Sequence, residues 1–487
     1  MGAGDAPAPA SPETNRARLK RLLAARPGGV PSAYPLSYSQ SPNWLMHQSD
    51  PGSSALNEAV VLRVSPAIDV PRVNHALRLL IERHPVLCST FALLGETPLQ
   101  RVLPGQPAPL DVIDATRMGQ EDLDIDRDVQ IHRPFNLARG PVFRAQLWSG
   151  AASGDVLLLV AHHLVIDGIA YWTVMDELFE LYRSLANDGL PPKLPESVVR
   201  YPHYVQWQRE LVAGPEGQRQ ATYWRRQLGG ANPLLPLSRG ARAVERVDEG
   251  GTHPFELEQS LVVELRDFAE REGMTMYTLL LAAFQLLLHG FTGADDILVS
   301  SPTNDRLSLG SQYRGLVGDC SNRVLLRSRM RRDESLAGFL KQTSQTVRAA
   351  LENHNYPISL VTSELSRQSG VPASSIGDVA FNMLPMKRGL ITPRRARLVG
   401  GEEIAPPQLT YGELSVGFLL QPRRTSRRTL VLEAIDSKAR VGGILVYRCN
   451  TFEPATISRL ARDYERLLHE VANDRDRPVA QALGATG

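Results

Sequence analysis

The stretch that most constrains this chain is LLLVAHHLVIDG at residues 157–168. The run VLLLVA that opens at Val156 is apolar at every position, so it reads as a β-strand buried on both faces and bounded by a turn. Successive strand side chains point to opposite faces. If the strand extends through the pair, His162 and His163 therefore occupy two different environments: one packed, the other facing whatever lies beyond the strand end. Histidine is the side chain whose unperturbed pKa, ~6.5, suits proton transfer near neutrality. The Asp167-Gly168 pair four residues on allows a tight turn that folds the carboxylate back beneath the strand end. There it could orient a ring or pair with an arginine. The alternatives are a hydrogen-bonded structural histidine and an Asp-Gly that is only a turn. A metal site would need further His, Cys or carboxylate ligands at suitable spacing, and none lies nearby in sequence, so no metal is expected.

The remainder of the chain narrows the setting. At 487 residues it is long for one core, and two domains are expected. With 43% hydrophobic and 22% charged residues it has the composition of a globular protein. A net charge of +2 gives no reason to expect a nucleic-acid partner. Cys88, Cys320 and Cys449 are odd in number and widely spaced, which fits a reducing cytoplasm. The N-terminus lacks an apolar signal core and the apolar stretch near 279–288 is too short to span a bilayer, so a cytoplasmic protein without a membrane partner is expected.

Residues 1–33 read as a flexible leader. From Tyr34 onward NEAVVLRV alternates like a strand, and VPRVNHALRLLIERHPVL has helical spacing that ends at a proline. PVFRAQLWSG and DVLLLVAHH read as a hairpin, followed by the amphipathic helix IAYWTVMDELFELYRSLAN. After a PPKLPES linker and a Trp-rich helical segment, a similar mixture resumes with THPFELEQ, SLVVELRDFAEREG, TLLLAAFQLLLHGF and DILVSS. VLEAIDS, GILVYRCN and a closing helix follow. The expected fold class is α/β, in an α+β two-layer form, with lobes at 34–205 and 206–487. Strict strand–helix alternation is missing, and so are G-x-G-x-x-G, Walker and nucleophile-elbow motifs, which disfavours Rossmann and serine-hydrolase readings.

AHHLVIDGIA resembles the core motif of the condensation domains of nonribosomal peptide synthetases, within the wider chloramphenicol-acetyltransferase-like acyltransferases. LSYSQSPNWLM (36–46), ERHPVLCSTF (82–91), YPHYVQWQ (201–208), VGDCSNRVLLR (317–327), NHNYPISLV (353–361) and GDVAFNML (377–384) are similar to further motifs of that family, in the same order. The resemblance implies two acetyltransferase-like lobes in a V-shaped pseudo-dimer around a central tunnel, with a floor loop and latch supplied by the second lobe. It implies that His163 faces the tunnel as the catalytic histidine, with His162 as its buried partner. Asp167 is then a structural salt bridge to Arg306, Gly168 keeps the tunnel open, and Ser301 and Asn322 are substrate-binding. No cofactor is bound. The acyl group, polyketide or peptidyl, arrives on the phosphopantetheine of a carrier protein and passes to an amine or hydroxyl, as a possible chain-release step.

Several positions depart from the family's usual text. Pro42 and Cys88 stand where arginines are usual, and Ile169 stands where Trp is common. Cys320, Ser321 and Arg323 replace Phe, Val and Thr, which suggests an unusual donor or acceptor, or drift at packing positions. The sequence contains no adenylation segment and no carrier serine motif, so a free-standing, monomeric enzyme served by a carrier protein in trans is the expectation. The acceptor could be a free small molecule or carrier-bound. The basic stretches at 387–397 and 422–429 could steer an acidic carrier, or they are solvated loops. Two other readings stay open: transfer from acyl-CoA, and a non-catalytic docking module that keeps the fold.

Overall fold

The computed structural model describes residues 33–103, 110–186, 194, 199–237, 249–307, 309–385, 409–419, 425–436 and 440–483. The expected leader, the PPKLPES linker and the basic stretch at 387–397 lie wholly or almost wholly outside the described residues, as do the first three residues of the stretch at 422–429. The chain divides into two compact units. The first comprises Met1–Ala59, Ala67–Arg209 and Gly310–Asp319; the second comprises Val60–Pro66, Glu210–Leu309 and Cys320–Gly487. Where the sequence suggests a single boundary at 205/206, the chain thus passes over at 209/210 and also exchanges two short segments. Such returns leave no mark in hydrophobic periodicity, which reports only on neighbours along the chain.

In the first unit, β1 (Ala33–Pro35) leads into α1 (Gln40–Ser49), the start of β2 (Asn57–Ser65, which belongs to the second unit from Val60 on) and α2 (Val70–Arg83). The α2 helix is capped by Asp69, whose carboxylate accepts from the Arg72 N–H at 2.7 Å. β3 (Ser89–Leu94) and β4 (Thr97–Val102) join β1 in a small antiparallel sheet of order β1-β4-β3. β5 (Leu110–Asp114) and α3 (Gln120–His132) precede the hairpin of β6 (Phe143–Ser149) and β7 (Asp155–His162). The hairpin pairs Phe143 with Ala161 through to Trp148 with Val156, and β5 runs parallel to β6 on its other side. Gly150 and Gly154 supply the left-handed backbone that the turn requires, at φ of 78° and 96°. β7 is buried along its whole length. α4 (Gly168–Ala186) follows it and packs on α2, and α5 (Tyr201–Ala213) carries the chain to the second unit.

The second unit opens with α6 (Pro215–Leu228), β8 (Gly250–Glu256), α7 (Gln259–Arg271) and α8 (Met276–Thr292). It continues with β9 (Asp296–Asn304), β10 (Ser321–Arg329), α9 (Leu336–Glu352), α10 (Ile358–Ser369) and β11 (Val379–Pro385). β12 (Leu409–Tyr411), β13 (Leu414–Leu419), β14 (Leu430–Asp436), β15 (Val441–Arg448), α11 (Pro454–Asn473) and α12 (Val479–Leu483) complete it. Its main sheet runs β10-β9-β11-β14-β15-β8, with β11 parallel to its neighbours and the other pairs antiparallel. This is the mixed topology expected of an α+β layer. β13 pairs antiparallel with the Val61–Ser65 part of β2. The apolar α8 is the central helix of this core, buried on nearly every side and bonded through the Leu280 carbonyl to the Tyr464 hydroxyl at 2.9 Å. Among the described residues no single helix is long and apolar enough to cross a membrane.

Asp155 ties the start of β7 to two other segments. Its buried carboxylate accepts from the Ile68 N–H at 2.8 Å and the Gly150 N–H at 2.9 Å. Asp155→Ala strands both donors, and a urea titration should show a loss of about 1–3 kcal/mol.

Candidate active site

β7 ends at His162, and the chain turns at once through His163, Leu164 and Val165. The two histidines are separated by this turn rather than by strand pleating, because His163 is already outside the strand. His162 is 2% exposed, and its Nδ1 accepts from the Leu164 N–H at 3.2 Å. The His47 and Phe135 rings meet it edge-on at 5.4 and 6.1 Å. The His163 side chain remains 12% exposed. Gln40 holds the turn: its amide donates to the Leu164 carbonyl at 2.6 Å and to Gln100 Oε1 at 2.8 Å.

Three side chains surround the His163 ring. Asp319 Oδ2 lies 3.6 Å from Nδ1, and Glu58 Oε1 lies 3.8 Å from Nε2. Asn43 Nδ2 donates to Asp319 Oδ2 at 2.9 Å and sits 3.4 Å from Nδ1. Asp319 is delivered by the returning segment Gly310–Asp319, and its backbone carbonyl accepts from the Tyr201 hydroxyl at 2.6 Å. Ser37 Oγ lies 2.8 Å from that same hydroxyl. The quoted stretches at 36–46, 161–170, 201–208 and 317–327 therefore meet around one imidazole. Sequence reasoning missed Asn43, Glu58 and Asp319. Asn43 and Asp319 lie inside quoted stretches, whereas Glu58 stands beside Asn57 at the polar start of β2, where nothing in the pattern marks it.

Asp167 is 2% exposed and caps α4, its Oδ1 accepting from the Ile169 and Ala170 N–H groups at 3.1 and 2.8 Å. Its carboxylate thus has a local task that the turn reading did not include. A Cβ on Gly168 would meet no atom within 4 Å. Arg306 belongs to the second unit, is 1% exposed, and donates its backbone N–H to Asn304 Oδ1 at 3.1 Å.

A family model for the Condensation domain matches residues 30–484. The chain belongs to the condensation-domain family. Over 449 residues this condensation domain is 28% identical to bacitracin synthase 3 of Bacillus licheniformis, covering 92% of this chain and 7% of that one. It thus spans a small fraction of the length of that curated relative. Among solved structures, the X-domain in its complex with OxyB from teicoplanin biosynthesis superposes with a TM-score of 0.79 at 20% identity, over 93% of this chain and 96% of that one. The first condensation domain of the calcium-dependent antibiotic synthetase gives 0.70 at 20% identity, over 92% and 98%. The mixed α/β fold is that of condensation domains, and the family is one of acyltransferases that form amide bonds.

Several further positions singled out in the sequence have partners in the structure. Arg83 Nε and His84 Nε2 lie 2.8 and 2.6 Å from Glu177 Oε2 on α4, binding the stretch at 82–91 to the helix that follows the histidines. Ser301 accepts from the Tyr277 hydroxyl at 2.7 Å, and burial pushes that phenol up to about 12 against the opposing pull of this bond. Asn322 donates to the His354 and Tyr356 carbonyls at 2.7 and 3.1 Å and accepts from the Ile358 N–H at 3.1 Å. The structure thus gives Asn322 a bracing task at the start of α10, with both its donors engaged. Arg323 has a buried Nη1 without a hydrogen-bond partner, and burial pulls its guanidinium down to about 10.

The segment that carries Asp319 and the pairing at Glu177 can each be tested. Gly318 has a φ of 151°, and a Cβ there would stand 2.0 Å from the Tyr201 ring, so Gly318→Ala must displace the segment that carries Asp319. A loss of about 1–3 kcal/mol in thermal unfolding is expected. For Glu177, burial pushes the carboxyl up, but the hydrogen bonds and charges of His84 and Arg83 outweigh it and hold it below the usual range. The pairing therefore stabilises the fold fully above the unfolded carboxyl value of ~4.3 and is lost as pH falls through the folded value. Denaturant titrations between pH 7 and pH 3 should show less acid sensitivity in Glu177→Gln than in the wild type.

Proposed function

We propose that this condensation domain moves an acyl group from the phosphopantetheine thioester of a carrier protein, supplied in trans, to an amine or hydroxyl acceptor. The observation that carries the reading is His163: partly exposed at the end of an otherwise buried strand, with a carboxylate near each ring nitrogen. With an amine, the nitrogen attacks the thioester carbonyl and the C–N bond forms. His163 takes the proton released from nitrogen, the C–S bond breaks, and that proton passes to the departing thiolate. A thioester is already activated, so alignment of the two reactants supplies much of the rate. Polyketide or peptidyl donors and a chain-release role are the finer expectations.

A second reading, a recruiting module, is favoured by the likeness to an X-domain solved with a bound protein partner. The presence of His163 and its enclosed setting favours catalysis. Intact-protein mass spectrometry separates the readings. An acyl-loaded carrier protein is incubated with the domain and candidate acceptors, beside a parallel reaction supplied with acyl-CoA. Acyl mass should leave the carrier only when both domain and acceptor are present, and His163→Ala should slow it by about 10²-fold or more. Unchanged loss with His163→Ala would overturn the base assignment, and transfer from acyl-CoA alone would overturn the carrier-dependent reading.

Asp167 is assigned the cap of α4. Asparagine caps helices about as well as aspartate, so Asp167→Asn should change stability by less than ~0.5 kcal/mol in a urea titration, whereas Asp167→Ala should cost about 0.5–2 kcal/mol. Equal losses in the two variants would contradict the assignment. Gly168 is assigned the task of keeping substrate space clear. Gly168→Leu should leave the melting temperature unchanged and abolish transfer; full activity in that variant would contradict the assignment.

A further inference from the structure

The two nitrogens of the His163 ring have different surroundings. Beside Nδ1 stand Asp319 Oδ2 at 3.6 Å and Asn43 Nδ2 at 3.4 Å; beside Nε2 stands Glu58 Oε1 at 3.8 Å. The Asp319 side chain is 0% exposed and that of Glu58 is 21% exposed. Asp319 is also the more firmly held. Asn43 donates to its Oδ2, the Tyr201 hydroxyl donates to its carbonyl, and the close approach of Gly318 to the Tyr201 ring leaves its backbone little room to move.

Two tautomers compete for this arrangement. If Asn43 directs an amide proton at a bare Nδ1, the ring carries its proton on Nε2, facing Glu58, and Nε2 cannot act as a base. If Nδ1 carries the proton, that proton meets the Asp319 carboxylate, which can only accept. The Asn43 amide has two protons, one of them committed to Asp319 at 2.9 Å, so its 3.4 Å approach to Nδ1 does not decide between the two arrangements. The fully buried Asp319 carboxylate 3.6 Å from Nδ1 favours the second. A buried carboxylate next to an imidazole nitrogen also gains most when that nitrogen holds a proton.

We propose that Asp319 is a positioning residue for His163: it holds the proton on Nδ1, and Asn43 and Tyr201 fix it in place, so that Nε2 is left as the basic nitrogen. The inference rests on the acyl-transfer reading, in which His163 is the base. Glu58 marks the Nε2 side, where the acceptor proton is taken.

The test reads the tautomer directly on the full chain. Ring ¹⁵N–¹H correlations are recorded on protein labelled with ¹⁵N-histidine at about pH 8, above the usual imidazole range. The His163 signals are identified by their disappearance in His163→Gln. The expected result is the Nδ1–H tautomer in the wild type and a shift toward Nε2–H in Asp319→Asn. In the carrier assay that variant should lose about tenfold or more in kcat with KM within about twofold. An Nε2–H ring in the wild type, or an unchanged tautomer in Asp319→Asn, overturns the proposal. No acyl substrate is present in the spectra, so the two readings fail separately. An Nδ1–H ring in a chain that transfers nothing removes the proposed function, whereas an Nε2–H ring in an active enzyme removes only the role of Asp319.

Discussion

The end of β7 is the constraint on which the first unit depends. A strand with no exposed residue from Asp155 to His162 has to terminate without stranding polar groups in its surroundings. The chain meets this requirement by turning at once. His162 Nδ1 accepts from the Leu164 N–H, the Gln40 amide donates to the Leu164 carbonyl, and Asp167 accepts from the first N–H groups of α4. Every bond that closes the strand end also fixes the position of His163. The structure and the proposed chemistry draw on the same hydrogen bonds there, and His163 is the histidine of the pair that stays partly exposed.

Around that imidazole the unit is knitted from segments far apart in sequence. Tyr201 is the knot: its hydroxyl joins Ser37 Oγ to the Asp319 carbonyl, across 164 and 118 residues of chain. Gln208, one helical stretch on, receives the Tyr38 N–H at 2.9 Å and donates to the Tyr204 hydroxyl at 2.6 Å. These contacts bind the stretches at 36–46, 201–208 and 317–327 into one frame that holds the carboxylate beside Nδ1. The pairing of Arg83 and His84 with Glu177 binds the stretch at 82–91 to the same unit through α4.

Much of this was legible in the sequence, for identifiable reasons. The hairpin of β6 and β7, the apolar α8 and the amphipathic α4 and α11 follow from periodicity, because each element buries one face or all of itself. The separate environments of His162 and His163 were also legible, although the cause is a turn and not strand pleating. The capping role of Asp167 could have been read from an aspartate just ahead of a helical pattern, and was obscured by the stronger turn signal of Asp-Gly. The carboxylates beside His163 were out of reach. Asp319 arrives on a segment that returns to the first unit after a hundred residues in the second, and Glu58 sits in a strand whose pattern says nothing about a partner 105 residues later.

The central claim is that the His163 imidazole accepts the proton released in acyl transfer. The most direct measurement is the single-turnover rate of transfer from an acyl-loaded carrier protein, followed by rapid quench across the pH range, in the wild type and in His163→Gln. The predicted result is an acid limb in the wild type, where the rate falls as the ring becomes protonated, and no such limb in the much slower variant. The same acid limb in both proteins would contradict it.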